Sequence, residues 1–158
     1  MIKKTFTAIS IISLLFSCAK FDSEILKQSF NDNPQKYTNF IKEIQDCYSV
    51  LDSSYNFKMT DGSFLITHLN RPSDDLFSSK LSKQLKNKEM TIKCLSKRHI
   101  EFRYIEKGHL NWKAIYFVHT LKTESELKSI YNTTNSRIEK IEKKEGLWYI
   151  VEVIQSAS

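Results

Sequence analysis

Four histidines, His68, His99, His109 and His119, are the side chains best suited to hold a metal or move a proton near neutral pH. None stands at metal-ligand spacing from another, and no stretch carries the two-histidine helix of a zinc hydrolase. They read as scattered strand-edge and surface residues, so no metal site is expected. There is no Gly-x-Ser-x-Gly elbow for a serine nucleophile. Cys47 or Cys94 would serve as a nucleophile only if folding brought a histidine base beside it. Asp74-Asp75 is better explained as the acidic start of a helix than as an acid–base pair. Asn31-Asp32-Asn33 lacks the later ligands and the glycine of a calcium loop. The three glycines, Gly62, Gly108 and Gly146, all fall in expected hairpin turns, which leaves none to cradle a phosphate or a dinucleotide. No catalytic residue and no cofactor is therefore expected.

One cysteine has a different chemistry. Met1-Ile-Lys-Lys4 precedes an apolar run, Phe6 to Phe16, too short to span a bilayer. A charged start, a short apolar middle and a small-residue exit describe a secretory signal. Its end, Leu15-Phe16-Ser17-Cys18, resembles the lipobox of bacterial prolipoproteins. That resemblance covers residues 1–18. It implies a diacylglyceryl group on the Cys18 thiol, cleavage just ahead of it, and N-acylation of the new terminus. It also implies a cell-envelope address, and Ala19 after the cysteine favours the outer membrane. Two other readings stay open: ordinary cleavage at Ser17-Cys18-Ala19, which discards Cys18, and retention as an uncleaved anchor.

On the lipoprotein reading, residues 1–17 are the signal peptide, 18–32 a lipid-anchored tether, and 33–158 a single domain. Cys47 and Cys94 are then an even pair in a disulfide-permissive compartment, and a bond between them stands beside two buried free thiols as alternatives. Hydrophobic residues make up 41% of the chain and aromatics 12%, enough for a real core and too much for disorder. The net charge of +6 suits anionic headgroups or an acidic partner. An exported lipoprotein does not meet nucleic acid, so that partner is set aside. The charge is most uneven between Lys80 and Arg98, where Lys80, Lys83, Lys86, Lys88, Lys93, Lys97 and Arg98 are opposed only by Glu89. They are a candidate basic contact face, with an ordinary solvated face as the alternative.

The elements that must position these residues follow from periodicity. Asn33-Pro34 caps and starts a helix running to Leu51, with Tyr37, Phe40, Ile41, Ile44, Cys47, Tyr48 and Leu51 on one stripe. Asp61-Gly62 predicts a hairpin between 55–60 and 63–69. Ser73 is expected to cap a second helix that buries Phe77, Leu81 and Leu85. From Met90 the period falls to two. A three-residue loop at Glu106-Lys107-Gly108 would pair Phe102 with Trp112, Ile100 with Ala114 and Glu101 with Lys113, which avoids setting Arg103 against Lys113. Thr123-Glu-Ser-Glu126 reads as a capping box before a short helix. Leu147–Ile154 is apolar on both sides, as a strand covered twice would be.

The expected fold is α+β: an N-terminal amphipathic helix and a second helix packed on a mostly antiparallel curved sheet. With its closing Gly146-Leu-Trp-Tyr-Ile150 strand, this layout loosely resembles the cystatin-like and NTF2-like folds of small exported lipoproteins. Function is expected to be that of a non-catalytic lipid-anchored module that binds an envelope protein or a small ligand. The alternatives are a small envelope hydrolase and an inhibitor- or immunity-like protein. Trp112, Tyr116 and Trp148 are candidate cavity-lining aromatics.

Overall fold

The computed structural model describes residues 23–70, 72, 76–87, 90–107 and 111–156. Cys18, Ser73, Asp74, Asp75, Lys88, Gly108 and His109, each singled out by the sequence, lie outside them. Among the described residues, no helix is long and apolar enough to cross a membrane.

Asn33 caps as expected: its side chain accepts the Lys36 N–H, and Pro34 occupies the first turn of a helix over Pro34–Asp46 (α2). The predicted stripe is the buried one, with Tyr37, Phe40, Ile41, Ile44 and Leu51 all in the core. The helix does not run unbroken to Leu51. Cys47 leaves helical geometry at φ −99, ψ 10, and a separate helix follows over Tyr48–Ser53 (α3). A helix also precedes α2, over Ser23–Asp32 (α1). The sequence allows a helical turn or two in this tether, starting at Asp22 or Ser23 and carrying Ile25, Leu26 and Phe30. The helix is longer than that and docked, with Phe30 and Lys27 both buried.

Phe64–Ile66 forms β1, which pairs with the next strand rather than with residues 55–60. Only the Lys58–Phe64 bridge remains of the predicted hairpin. The turn itself is built as expected: Gly62 takes φ +79, and Asp61 accepts from the Ser63 N–H and hydroxyl. The second helix, Ser79–Lys86 (α4), is capped by Ser78 rather than Ser73, and Phe77, Leu81 and Leu85 are buried.

Thr91–Ser96 (β2), His99–Lys107 (β3) and Asn111–Thr120 (β4) form a meander. The capping box at Thr123 is complete and starts α5, Glu124–Tyr131. Ser136–Lys143 (β5) and Trp148–Ser156 (β6) close the chain, joined through Gly146 at φ +66. The strand order is β1-β2-β3-β4-β6-β5, every pairing is antiparallel, and β6 is internal. The fold is α+β on a curved sheet.

The β3–β4 register differs from the expected one. Phe102 pairs with Phe117, Tyr104 with Ile115 and Ile100 with His119. Side chains directly opposite share a face, so this offset turns β4 over. Ile115 and Phe117 join Phe102 under α1–α4, while Ala114, Tyr116 and Val118 face α5. One face is an aromatic core in which Phe30, Tyr37, Phe102, Phe117 and Trp148 meet at ring distances of 4.7–6.4 Å. The other packs Leu127 and Tyr131 of α5 on Val118, Tyr149, Val151 and Val153.

Candidate functional site

Alternation along β3 sends His99, Glu101 and Arg103 to the α5 face, and α5 closes over them. Glu101 is fully buried. Its Oε1 accepts from Tyr131 Oη at 2.7 Å and from His99 Nε2 at 2.9 Å. Its Oε2 accepts from Arg103 Nε at 2.6 Å, and the same guanidinium's Nη2 lies 2.5 Å away as an ion pair. The His99 Nδ1 lies 3.0 Å from the Thr120 hydroxyl, which also accepts the Lys122 N–H. Arg103 stacks over Tyr116, 4.7 Å from the ring centre. Burial alone would push the Glu101 carboxyl up, but His99, Arg103 and Tyr131 together hold it below its ordinary value. Burial beside that carboxylate raises the Tyr131 phenol well above its usual range.

Both Glu101 oxygens are engaged, by three hydrogen bonds and the Arg103 ion pair, and the cluster is sealed between sheet and helix. A general acid or base has to reach its substrate. Glu101 is fully buried, and its bond from Tyr131 ties α5 to the sheet. From the sequence Glu101 is expected to pair with Lys113 across the strands rather than to enter a buried cluster. The signal that could have found it is that Ala114, Tyr116 and Val118, on the same face of β4, are apolar or aromatic, so charges beside them are buried and paired.

The three described histidines do not converge. His99 belongs to the cluster, and His68 sits in the loop after β1. His119 lies on the helix-covered face, edge-on to Trp148 with ring centres 5.0 Å apart. Its Nδ1 is sealed and has no hydrogen-bond partner among the described residues, and burial lowers its pKa. Among the described residues no three His, Cys, Asp or Glu side chains come together as a metal would require.

Cys47 and Cys94 are both buried free thiols. Burial raises the pKa of each, and that of Cys94 well above the usual thiol value, so neither is an activated nucleophile.

Of the seven cations of the candidate basic face, Lys88 lies outside the described residues and Lys93 stands apart from the others. Lys93 alternates with core residues Ile92 and Cys94, so it points to the opposite side of the sheet, where it pairs with Asp61 at 3.1 Å. That contact, after the stronger hydrogen bonds from Ser63, helps bring the Asp61 carboxyl down to about 2. Lys97 and Arg98 are exposed in the β2–β3 turn. Lys80 and Lys83 are brought together on α4, where they line a groove against α2 of about 800 Å³. Lys36, Asn33, Gln35, Asn39, Gln84 and Asn87 complete it. Its single carboxylate, Glu43, accepts the Ser78 N–H at 2.9 Å.

A second cleft, of about 530 Å³, lies between the α1–α2 corner and the β5–β6 turn. Phe30, Leu147 and Trp148 give it an apolar wall, and Asn31, Gln35, Thr38 and His119 a polar one. Trp148 borders that cleft while belonging to the buried core, and Tyr116 is core on the other face, under Arg103. Comparison with protein-family models, curated proteins and solved structures finds no match to this chain.

Proposed function

We propose that the chain is a non-catalytic binding module of the cell envelope, held to the outer membrane through acylated Cys18, with the α2–α4 groove as its ligand face. The observation that carries the reading is the lining of that groove: Lys36, Lys80 and Lys83 among five carboxamides, with one carboxylate already engaged. Carboxamides donate and accept together, which matches the amide groups of an extended peptide. Lysines add a preference for acidic side chains. The groove lacks an exposed aromatic platform, since Phe40 is buried, and sugars commonly stack on such platforms. An acidic peptide segment of an envelope protein is the ligand class that fits best.

Titration of labelled acidic, neutral and basic peptides, followed by anisotropy, tests this. Acidic peptides should bind best, and more weakly as salt rises. The double reversal Lys80→Glu, Lys83→Glu should cost about tenfold or more in affinity, each exposed pair contributing up to about 1 kcal/mol. Equal binding of all three peptides, or an unaffected double variant, would remove the groove as the site.

A further inference from the structure

We infer that the end of the sheet carrying the β3–β4 turn is the end that rests on the lipid surface. The inference depends on the proposed acylation of Cys18 and adds the orientation that the anchor imposes.

The direction of α1 is fixed by two contacts. Lys27 Nζ meets Glu152 at 2.8 Å, and Glu152 stands opposite Ile115. One turn later Phe30 packs on Phe117 at 4.7 Å and on Trp148 at 5.2 Å. Along β4 and β6 these contacts step away from the Asn111–Ser156 pair and toward the His119–Trp148 pair. The helix therefore enters from the β3–β4 turn end, and Ser23 lies about 6 Å further toward that end than Lys27.

The chain between is short. Residues 19–22 separate Cys18 from Ser23, a reach of about 17 Å when fully extended. Strands β4 and β6, of 10 and 9 residues, run about 30 Å. Glu152 is four residues, about 13 Å, from Trp148. Ser23 therefore stands about 19 Å from the far row, with Lys97 and Arg98 beyond it. A straight chain of about 17 Å running back along the sheet falls short of them, and the β3–β4 turn end is the nearer one unless α1 unwinds. Phe30 is 2% exposed and Lys27 bridges Glu24 and Glu152, so unwinding would expose a core aromatic and unpair a buried cation.

The chemistry of the near end agrees. Arg137, Ile154 and Lys113 occupy adjacent positions across β5, β6 and β4. Both cations are exposed, as anionic headgroups require. Trp112 stands in the next row, opposite Gln155, and is half-buried. An indole there is suited to the bilayer interface. The Phe30–Trp148 cleft and the β2–β3 turn then point away from the membrane, so Lys97 and Arg98 meet the envelope space rather than lipid.

The chain has only two tryptophans, one near each end of the sheet. Mature protein from host membranes is reconstituted into phosphatidylcholine–phosphatidylglycerol vesicles containing a headgroup nitroxide lipid. Trp112→Phe leaves Trp148 as the reporter, and Trp148→Phe leaves Trp112. Trp112 emission should be quenched several-fold more strongly than Trp148 emission. If Trp148→Phe does not fold, the difference between wild type and Trp112→Phe supplies the Trp112 signal. Intact mass on the same samples reports the acyl groups. Acylated protein with Trp148 quenched as much as Trp112, or more, overturns the orientation and leaves the anchor standing. Protein without acyl mass on Cys18 overturns both.

Discussion

The two faces of one sheet are held in different ways. Under α1–α4 the contacts are mostly rings and aliphatic chains, joined by the Tyr37 Oη–Tyr104 Oη pair at 3.0 Å and, at the edge, by the Lys27–Glu152 ion pair at 2.8 Å. Under α5 the same strands carry a buried carboxylate held by His99, Arg103 and Tyr131. Apolar packing is graded, because a lost methylene costs its transfer energy plus a cavity. A saturated ionic cluster is close to all-or-none, because removing one member strands the others in a poor solvent for charge. The aromatic face therefore supplies bulk stability. The α5 face supplies a specific placement that is sensitive to pH.

The largest expected effect tests that contrast directly. Glu101→Ala leaves Arg103, His99 and Tyr131 facing each other without an acceptor and should cost about 3–5 kcal/mol in urea unfolding. Its pH dependence has a definite sign. The folded carboxyl lies below its ordinary value, so the unfolded chain binds the proton more readily. The stabilisation is fully present above the unfolded carboxyl value of about 4.3 and is lost as pH falls through the lower folded value. Wild type should weaken in that acidic window, and Glu101→Ala should weaken less there. Parallel pH profiles for the two proteins would show that the cluster is not the pH-sensitive element.

On the other face Phe117→Leu should cost about 1–2 kcal/mol, from lost ring contacts to Phe30, Tyr37 and Tyr104. That loss should be the same at pH 4 and pH 7. A pH-dependent loss would mean the two faces are coupled through β4, and the contrast between them would fail.

The contrast also explains which parts were legible in the sequence. Local rules held wherever a residue acts on its own turn. Asn33-Pro34 starts α2, Thr123 and Glu126 make the capping box, and Gly62 and Gly146 take positive φ. The stripe of α2 was readable because its other side is polar. The register of β3 and β4 was not. Both alternating sets of β4, Ala114-Tyr116-Val118 and Ile115-Phe117, are apolar, so periodicity cannot say which set meets Phe102. A strand covered on both sides carries no record of its own orientation. The cluster was hidden for the same reason. His99, Glu101 and Arg103 look like a wet face until α5, more than 20 residues later, is known to fold over them. Along the Lys80–Arg98 stretch contiguity in sequence does not give contiguity in space for every cation, because one strand's alternation sends Lys93 to the far side.

The smallest effect probes whether α5 needs the cluster to stay down or stands on its own cap. Thr123 accepts the Glu126 N–H, and the Glu126 carboxylate accepts the Thr123 N–H and hydroxyl. Thr123→Ala removes one half of that exchange and should cost about 1 kcal/mol. Tyr131, at the other end of α5, is held by Glu101. If cap and cluster act independently, the cost of Thr123→Ala should be the same in the wild-type and Glu101→Ala backgrounds. A larger cost in the Glu101→Ala background would show that the helix rests on either end alone. A vanishing cost would show that α5 has already left the sheet once Tyr131 loses its acceptor. The double-variant cycle by urea unfolding thus separates a helix pinned at two points from one hung on a single buried carboxylate.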